Sequence, residues 1–408
     1  SLRYFNVYSP CQEASGPYAT AIANWMKYIR QGSDPFITGD GEQRRDMINV
    51  SDVIDANIFC MNSQQNFNGS VFDVGTGSNI SLNEIKQIIN KHFLDIKFKY
   101  VEPRDGDVMF TKADVEPLNN LGWTAKMNIG IVGQGFVGTA INHGLRNFYK
   151  VYTYDLDKSK CNSTLSEVVR NCDIIFQCLP TPMKKTGECD LSIVRKSLFN
   201  INHISKRLLK TKNPIVIIKS TVPPGTTETL NKENENLEVI FSPEFLTEAN
   251  SIDDFKNQNR IIIGGPRPAT TIVKTMFRKA FPHIPIVKTG YRTSEMVKYF
   301  LNNFLTTKVL FANEMYQICQ KLNIDYDKVT EYSLYDNRLG KSHLAVPGPD
   351  GDFGVGGHCF PKDLAAMTYL AKKLKLDTTI LDAVEEKNNS IRKNRDWEEM
   401  PGRAISEE

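Results

Sequence analysis

From residue 127 onward, short apolar runs alternate with longer stretches whose apolar residues recur at helical spacing. The runs lie at 128–132, 150–154, 173–179, 214–219, 238–241, 260–264 and 284–288. Strand-like runs that alternate with helical stretches predict a parallel sheet flanked by helices. Residues 293–323 then contain no Gly or Pro and keep the helical period. At 1.5 Å per residue they predict one helix of roughly 45 Å, long enough to bridge domains or build an oligomer interface. The remainder to about residue 393 is mostly helical in pattern, apart from a glycine-rich loop at 346–357. The tail 394–408 is polar and is expected to be loosely ordered.

Before residue 127 the pattern is different. A strand-like run at 2–8 opens the chain, which reads as a cut inside a domain. Residues 21–29 are helical in composition, 39–41 form a glycine turn, and 71–74 form a short strand ended by Gly75-Thr76-Gly77. Ser81-Leu82-Asn83-Glu84 fits a capping box that opens a helix to about residue 93. The segment closes at Leu121-Gly122-Trp123, and the pattern restarts at Met127 with no Gly/Ser or Pro linker. The expected division is therefore 1–126, 127–290, 291–393 and 394–408.

Composition narrows the function without naming it. A length of 408 residues suits two to four domains. Hydrophobic content of 40% and charged content of 24% are ordinary for a soluble globular protein. A net charge of +3 gives no footprint for a nucleic-acid partner. No apolar run approaches the roughly 18 residues of a membrane span, and no signal peptide follows Ser1. The eight cysteines, at 11, 60, 161, 172, 178, 189, 319 and 359, form no CxxC pair and no disulfide framework. A reducing, cytoplasmic setting is the expectation.

Five clusters carry candidate chemistry. Gly133-Gln134-Gly135-Phe136-Val137-Gly138 follows an apolar strand and opens a helix, and Asp155 answers it at the end of the next strand. The three glycines allow a tight turn, close approach of a pyrophosphate, and helix-on-strand packing. Asp155 would accept from the adenosine ribose hydroxyls, which favours NAD over NADP. Lys219-Ser220-Thr221-Val222-Pro223-Pro224-Gly225-Thr226 ends a strand, where ligands meet an open sheet; alone it is also a rigid turn. Ser242-Pro243-Glu244-Phe245-Leu246-Thr247-Glu248 follows another strand. Its two carboxylates suit either acid–base work or a solvated surface. Lys298 and Asn302 share one face of the long helix and could stabilise an oxyanion together. Finally, Gly354-Val355-Gly356-Gly357-His358-Cys359-Phe360-Pro361-Lys362-Asp363 places a thiol beside a glycine run with a cation nearby. A cation favours the nucleophilic thiolate. The bland reading is a small core cysteine.

Together these clusters, with Pro180-Thr181-Pro182 and Glu295-Met296-Val297-Lys298, resemble the UDP-glucose/GDP-mannose dehydrogenase family in order and spacing, from Met127 to about Gly402. The resemblance implies a Rossmann-type doubly wound parallel sheet, a long central helix and an α-helical domain. It also implies a two-step, four-electron, NAD-dependent oxidation of a nucleotide sugar at its primary alcohol, within polysaccharide biosynthesis. Cys359 would carry a thiohemiacetal and then a thioester. Lys298 and Asn302 would stabilise the oxyanion, Asp363 and Thr221 would position water, and Glu248 would assist proton transfer. Gly133, Gly135, Phe136, Val137, Gly138, Asp155, Lys160, Thr181, Thr221, Glu248 and Lys362 match cofactor positions. Glu244, Phe245, Leu246, Glu248, Lys298, Asn302 and Gly356 match the sugar site, and Arg338 matches an arginine that reaches a neighbouring subunit's substrate. No metal is implied, and the partners expected are a UDP-sugar and a second copy of the chain through the long helix.

Family members usually carry a third, Rossmann-like domain after the Cys loop, for which this chain stops too early. His358 before the Cys is common in the N-acetylhexosamine branch, whereas Pro361-Lys362-Asp363 is typical of the UDP-glucose branch. UDP-glucose to UDP-glucuronate is therefore the leading reaction. A UDP-N-acetylhexosamine 6-dehydrogenase is the close alternative, and an inactive nucleotide-sugar-binding fragment is the alternative of another class. Residues 1–126 resemble the C-terminal half of an extended short-chain dehydrogenase of the nucleotide-sugar epimerase kind. The resemblance rests on 3–8, 39–46, 49–53 and 104–108. It implies a partial α/β substrate-binding region in which Asn6, Arg45, Arg104 and Asp107 match nucleotide-holding positions. Neither GxxGxxG nor Tyr-x-x-x-Lys is present there, so no redox chemistry is expected of it.

Overall fold

The computed structural model describes the chain outside residues 10–11, 13, 15–18, 94–95, 122, 124, 126, 209–212 and 408. The expected closing glycine Gly122, the last residue before the expected boundary, Lys126, and Cys11 thus lie outside the described residues.

The expected alternation is present. Strands β1 (Asn128–Val132), β2 (Lys150–Tyr154), β3 (Ile174–Gln177), β4 (Ile215–Ile218), β5 (Glu238–Phe241), β6 (Ile261–Gly264) and β7 (Ile286–Thr289) form one seven-stranded sheet in the order β2-β1-β3-β4-β5-β6-β7. Neighbours are parallel except β5 and β6, which run antiparallel and meet at Phe241 and Gly264. There the chain leaves β5 through 242–248 and returns in the opposite direction, so the sheet is not wholly parallel. Helices α1 (Phe136–Leu145), α2 (Leu165–Asn171), α3 (Ser192–Arg207), α4 (Thr226–Glu233), α5 (Ser251–Lys256) and α6 (Ala269–Ala280) connect the strands. Strand residues feed alternate faces, as the period of two demands. Ile129, Ile131, Phe176 and Ile217 join one apolar core, while Val132, Ile175, Val216 and Ile218 join the other. Burial on both faces explains why these strands read as continuous apolar runs.

The long helix α7 spans Tyr291–Leu322, within two residues of expectation at either end. It stops at Asn323, whose left-handed backbone (φ 53°) lets its N–H reach back to Cys319 and Gln320. Glu295 is fully buried and accepts the Gly225 and Thr227 amides at 2.6 and 2.8 Å. It thereby caps α4 and locks α7 to the end of β4. Helices α8 (Tyr326–Ser333), α9 (Phe360–Lys373) and α10 (Thr379–Ile391) complete the helical part, with α9 and α10 packed on α7.

The tail does not behave as its polarity suggested. Asp396–Glu399 forms a short 3₁₀ turn, Trp397 is 4% exposed and Ala404 1% exposed. Met183 N–H donates to the Ala404 carbonyl and Ser406 N–H to the Met183 carbonyl, at 2.8 and 2.9 Å. Two apolar anchors among polar residues suffice to hold such a segment, and composition averaged over the tail hides them.

In the first region the expected run 2–8 is two short strands. Leu2–Tyr4 pairs with Phe72–Val74, and Asn6–Tyr8 pairs with Met47–Asn49. The capping box is formed: Ser81 accepts the Glu84 amide and Glu84 accepts the Ser81 amide, opening Leu82–His92. Small cores form around Ile48, Val74 and Trp123, and around Trp25, Ile37 and Ile85.

Candidate active site

The turn after β1 is built for a dinucleotide. Gly133 has φ +95°, and a Cβ there would sit 2.3 Å from the Cys178 carbonyl oxygen. A Cβ on Gly138 would lie 1.9 Å from the Gly133 carbonyl oxygen, so only glycine lets α1 approach the turn. A Cβ on Gly135 would meet nothing within 4 Å, and Gly135 opens α1 with no side-chain cap. Uncapped amides facing open space at a helix N-terminus suit a pyrophosphate. The Asp155 carboxylate accepts the Gln134 amide at 2.6 Å and the Asp157 amide at 2.9 Å. It therefore stands at the rim of the same turn. Phe136 and Val137 begin α1. Lys160 is exposed and pairs with Asp157 at 3.3 Å. Thr181 is buried, and its hydroxyl donates to the Thr221 carbonyl at 2.9 Å, tying the end of β3 to the end of β4.

Beyond the carboxyl ends of the strands lies a cavity of about 610 Å³. Its walls include Lys219, Glu244, Lys298, Asn302, Gly356 and Cys359. Lys298 Nζ lies 3.0 Å from Glu244 Oε1, with the two side chains 6% and 9% exposed. Burial alone would raise the Glu244 pKa, but Lys298, the Leu246 amide and Lys219 outweigh it and hold it below the usual value. Asn302 Nδ2 donates to Asp363 Oδ2 at 2.6 Å, and Lys362 Nζ donates to Asp363 Oδ1 at 2.5 Å. Burial would depress Lys362, yet Asp363, Cys359 and Cys189 together raise it, so it stays a cation. Phe245 lies under the Arg260 guanidinium at 4.2 Å, and Leu246 lines the same wall.

Cys359 is the residue before α9. Burial pushes its thiol up to about 11, with Lys362 and Lys298 pulling down and Asp363 and Glu244 pushing up. The neighbouring cations therefore do not yield a thiolate, because desolvation and two carboxylates outweigh two ammonium groups. The loop that carries it is pinned from behind. Gly354 N–H donates to Asn313 Oδ1 at 3.2 Å, and Val355 N–H to Asn388 Oδ1 at 2.8 Å. A Cβ on Gly356 would sit 2.1 Å from an Arg392 nitrogen and 2.6 Å from an Asp396 oxygen, so the loop closes tightly on these two side chains.

Glu248 is half exposed and pairs with His358 Nδ1 at 3.2 Å and with the Arg403 guanidinium. Burial, with Arg403 next, lowers the His358 pKa, and His358 Nε2 is buried without a partner. Arg338 does not reach the cavity of its own chain; it is exposed and pairs with Asp336 at 2.5 Å. In the first region Arg45 pairs with Asp107 and Asn6 donates to the Asp46 carbonyl at 3.1 Å. Arg104 is exposed there. Among the described residues no group of acids, His and Cys could hold a metal ion, and no helix is long and apolar enough to cross a membrane.

Two groups went unassigned in the sequence. Lys219 is buried, donates to the Pro243 carbonyl at 3.0 Å and is pushed down to about 8 by burial. Its signal was its place just after the carboxyl end of a strand, β4. Arg403 carried no signal, being 155 positions from Glu248.

A glycine turn at the end of the first strand of a mostly parallel sheet, with a cysteine pocket beyond the strand ends, defines a Rossmann-type fold. The chain belongs to the UDP-glucose/GDP-mannose dehydrogenase family, whose NAD binding domain matches 143–281 and whose central domain matches 292–390. The NAD dependent epimerase/dehydratase family matches 1–75. Identity is 31% over 300 residues with a UDP-glucose 6-dehydrogenase of Rickettsia bellii, covering 64% of this chain and 67% of that protein. It is 30% over 302 residues with the UDP-glucose 6-dehydrogenase TuaD of Bacillus subtilis, covering 65% and 63%. A UDP-glucose dehydrogenase from the archaeon Pyrobaculum islandicum superposes with a TM-score of 0.60 at 27% identity, over 65% of this chain and 68% of that one. The chain spans 54% of the length of the Rickettsia typhi relative and 63% of TuaD. NAD is the cofactor of the matched domain, and the open, uncapped Gly135 turn fits it.

Proposed function

We propose that residues 127–406 oxidise the C6 alcohol of UDP-glucose to the carboxylate of UDP-glucuronate, with two NAD reduced and one water consumed per sugar. The observation that carries this reading is the single cavity lined by Cys359, Lys298 and Asn302, with Asp363 joined to Asn302 at 2.6 Å. NAD supplies the hydride acceptor for both steps. Lys298 and Asn302 are donors that line one cavity, suited to the oxyanion that forms when the Cys359 sulfur adds to the aldehyde carbon. Because Cys359 rests as a thiol, its proton must leave during the attack; Asp363 and Glu244 are the carboxylates close enough to be felt by it. Loss of the second hydride leaves a thioester on Cys359, which water cleaves to the acid and a free thiol. Thr221 and Asp363 position that water, and Glu248 assists its proton transfer.

Two copies of the chain pair along α7. Met296, Phe300, Phe304, Phe311, Ile318 and Leu322 are 42–66% exposed. They fall within an arc of about 80° on a helix turning about 100° per residue. One subunit leaves that stripe bare, and a partner would bring its own Arg338 toward the site. His358 before Cys359 favours a second reading, a UDP-N-acetylhexosamine as substrate.

The test is NADH formation by the full chain with a panel of nucleotide sugars. UDP-glucose should give the highest kcat/KM. Preference for a UDP-N-acetylhexosamine would move the assignment to the second reading. No NADH with any of them would overturn both.

A further inference from the structure

The segment after α10 touches two residues that line the site, Gly357 and Glu248. Arg392 is buried and faces Asp350 at 2.7 Å, Asp352 at 3.6 Å and Asp396 at 3.6 Å. Asp396 in turn accepts the Gly357 amide with both oxygens, at 3.0 and 3.1 Å. Two residues later comes Cys359. Further on, residues 404–406 bond to Met183, and Ser406 Oγ donates to Asp190 at 2.9 Å. Between these anchors Arg403 reaches Glu248, the carboxylate that also meets His358.

From these contacts we infer that residues 392–406 are a brace that sets the geometry of the site, with Asp396 and Arg403 as positioning residues. Asp396 holds the glycine turn that carries Cys359, and Arg403 holds Glu248 in the orientation shared with His358. The second half of this inference rests on the dehydrogenase reading above. The physical reasoning is one of exposure. Arg403 and Glu248 are 45% and 52% exposed, and an exposed ion pair adds little to stability. Its effect is to remove rotamers from Glu248, a long side chain that would otherwise sample solvent. The Asp396 contact differs, because Gly357 has φ +69° and, among the described residues, Asp396 is the acceptor of its amide. Releasing that amide frees the turn to rotate and moves Cys359 with it.

The experiment uses the full chain with Arg403→Ala, Arg403→Lys and Asp396→Ala. Steady-state rates with UDP-glucose and NAD are measured beside thermal unfolding, intact mass and amide hydrogen exchange. Arg403→Ala should lower kcat about tenfold or more, since a misplaced group costs up to about a hundredfold. The unfolding midpoint should stay nearly unchanged, KM should fall along with kcat, and added sugar mass should accumulate on Cys359, because hydrolysis is the slowed step. Arg403→Lys should recover much of the rate. Amides of 246–250 should exchange faster in Arg403→Ala, and those of 355–359 faster in Asp396→Ala. An unaltered kcat in Arg403→Ala, or a loss matched by a lower unfolding midpoint and not recovered by Lys, would overturn the role of Arg403. Unaltered exchange in both variants would overturn the brace itself. If the parent chain makes no NADH from any nucleotide sugar, the dehydrogenase reading fails and the exchange data alone decide the brace.

Discussion

Lys298→Met removes one partner of the most buried ion pair lining the cavity, and its consequences separate stability from catalysis. The Lys298 and Glu244 side chains are 6% and 9% exposed. After the substitution Glu244 keeps the Leu246 amide at 2.8 Å and the more distant Lys219 charge. Breaking a buried pair costs roughly 3–5 kcal/mol because a charge is left uncompensated, and those two retained partners reduce this to about 3 kcal/mol. The double variant Glu244→Gln, Lys298→Met leaves no such charge, so it should recover about 2 kcal/mol of the loss. The sign with pH follows from burial, the largest influence on Glu244. In the parent, Lys298 keeps the Glu244 pKa depressed. That contribution is present above the unfolded carboxylate range and is lost as pH falls through the lower folded value. In the variant burial prevails and the folded pKa rises, so stability is lost as pH rises. The gap between parent and single variant should therefore widen from pH 4 to pH 7. Urea denaturation at both pH values, followed by loss of native hydrogen-exchange protection along α7, measures it. NADH formation should fall about 10²–10³-fold in both variants if Lys298 stabilises the oxyanion. A double variant less stable than the single, or a gap that does not change with pH, would refute the electrostatic account of the pair.

Further outcomes follow from the cofactor turn and the long helix. Asp155→Ser should narrow the preference for NAD over NADP in kcat/KM, since the carboxylate repels a ribose 2′-phosphate; equal use of both by the parent would contradict this. Gly135→Ala should fold normally but bind NAD weakly in calorimetry, because its Cβ enters open space beside the helix N-terminus. Gly138→Ala should instead lower the unfolding temperature, because its Cβ would meet the Gly133 carbonyl at 1.9 Å. Phe304→Glu, placed amid the exposed stripe, should give monomers in sedimentation where the parent gives dimers; a parent that is monomeric at micromolar concentration would remove the α7 interface.

What could be read from the sequence was what depends on neighbours along the chain. The Gly133–Gly138 turn, the Ser81–Glu84 capping box and the α7 boundaries each follow from steric or hydrogen-bonding needs within a few residues. Glu244 follows β5, Lys298 and Asn302 stand on α7 and Cys359 precedes α9, so the sequence joined the four only through the family resemblance, whereas the fold brings them to one cavity. The protonation of Cys359 was not legible, since a nearby lysine is visible in sequence whereas desolvation and the Glu244 carboxylate are not. The packed tail was hidden for a related reason. Trp397 and Ala404 are buried only by the folded chain, residues 404 and 406 bond to the distant Met183, and Arg403 meets Glu248 across 155 residues. The reversal at β6 escaped because an isolated apolar strand carries no sign of its direction.

The central claim is that Cys359 holds the sugar between two hydride transfers, and NADH stoichiometry with UDP-glucose tests it most directly. The parent should form two NADH for each UDP-glucose consumed, with UDP-glucuronate as the product and no free aldehyde. Cys359→Ser should lose most NADH formation, because a hydroxyl is a far weaker nucleophile near neutral pH. Wild-type turnover in Cys359→Ser with the stoichiometry intact would contradict the claim.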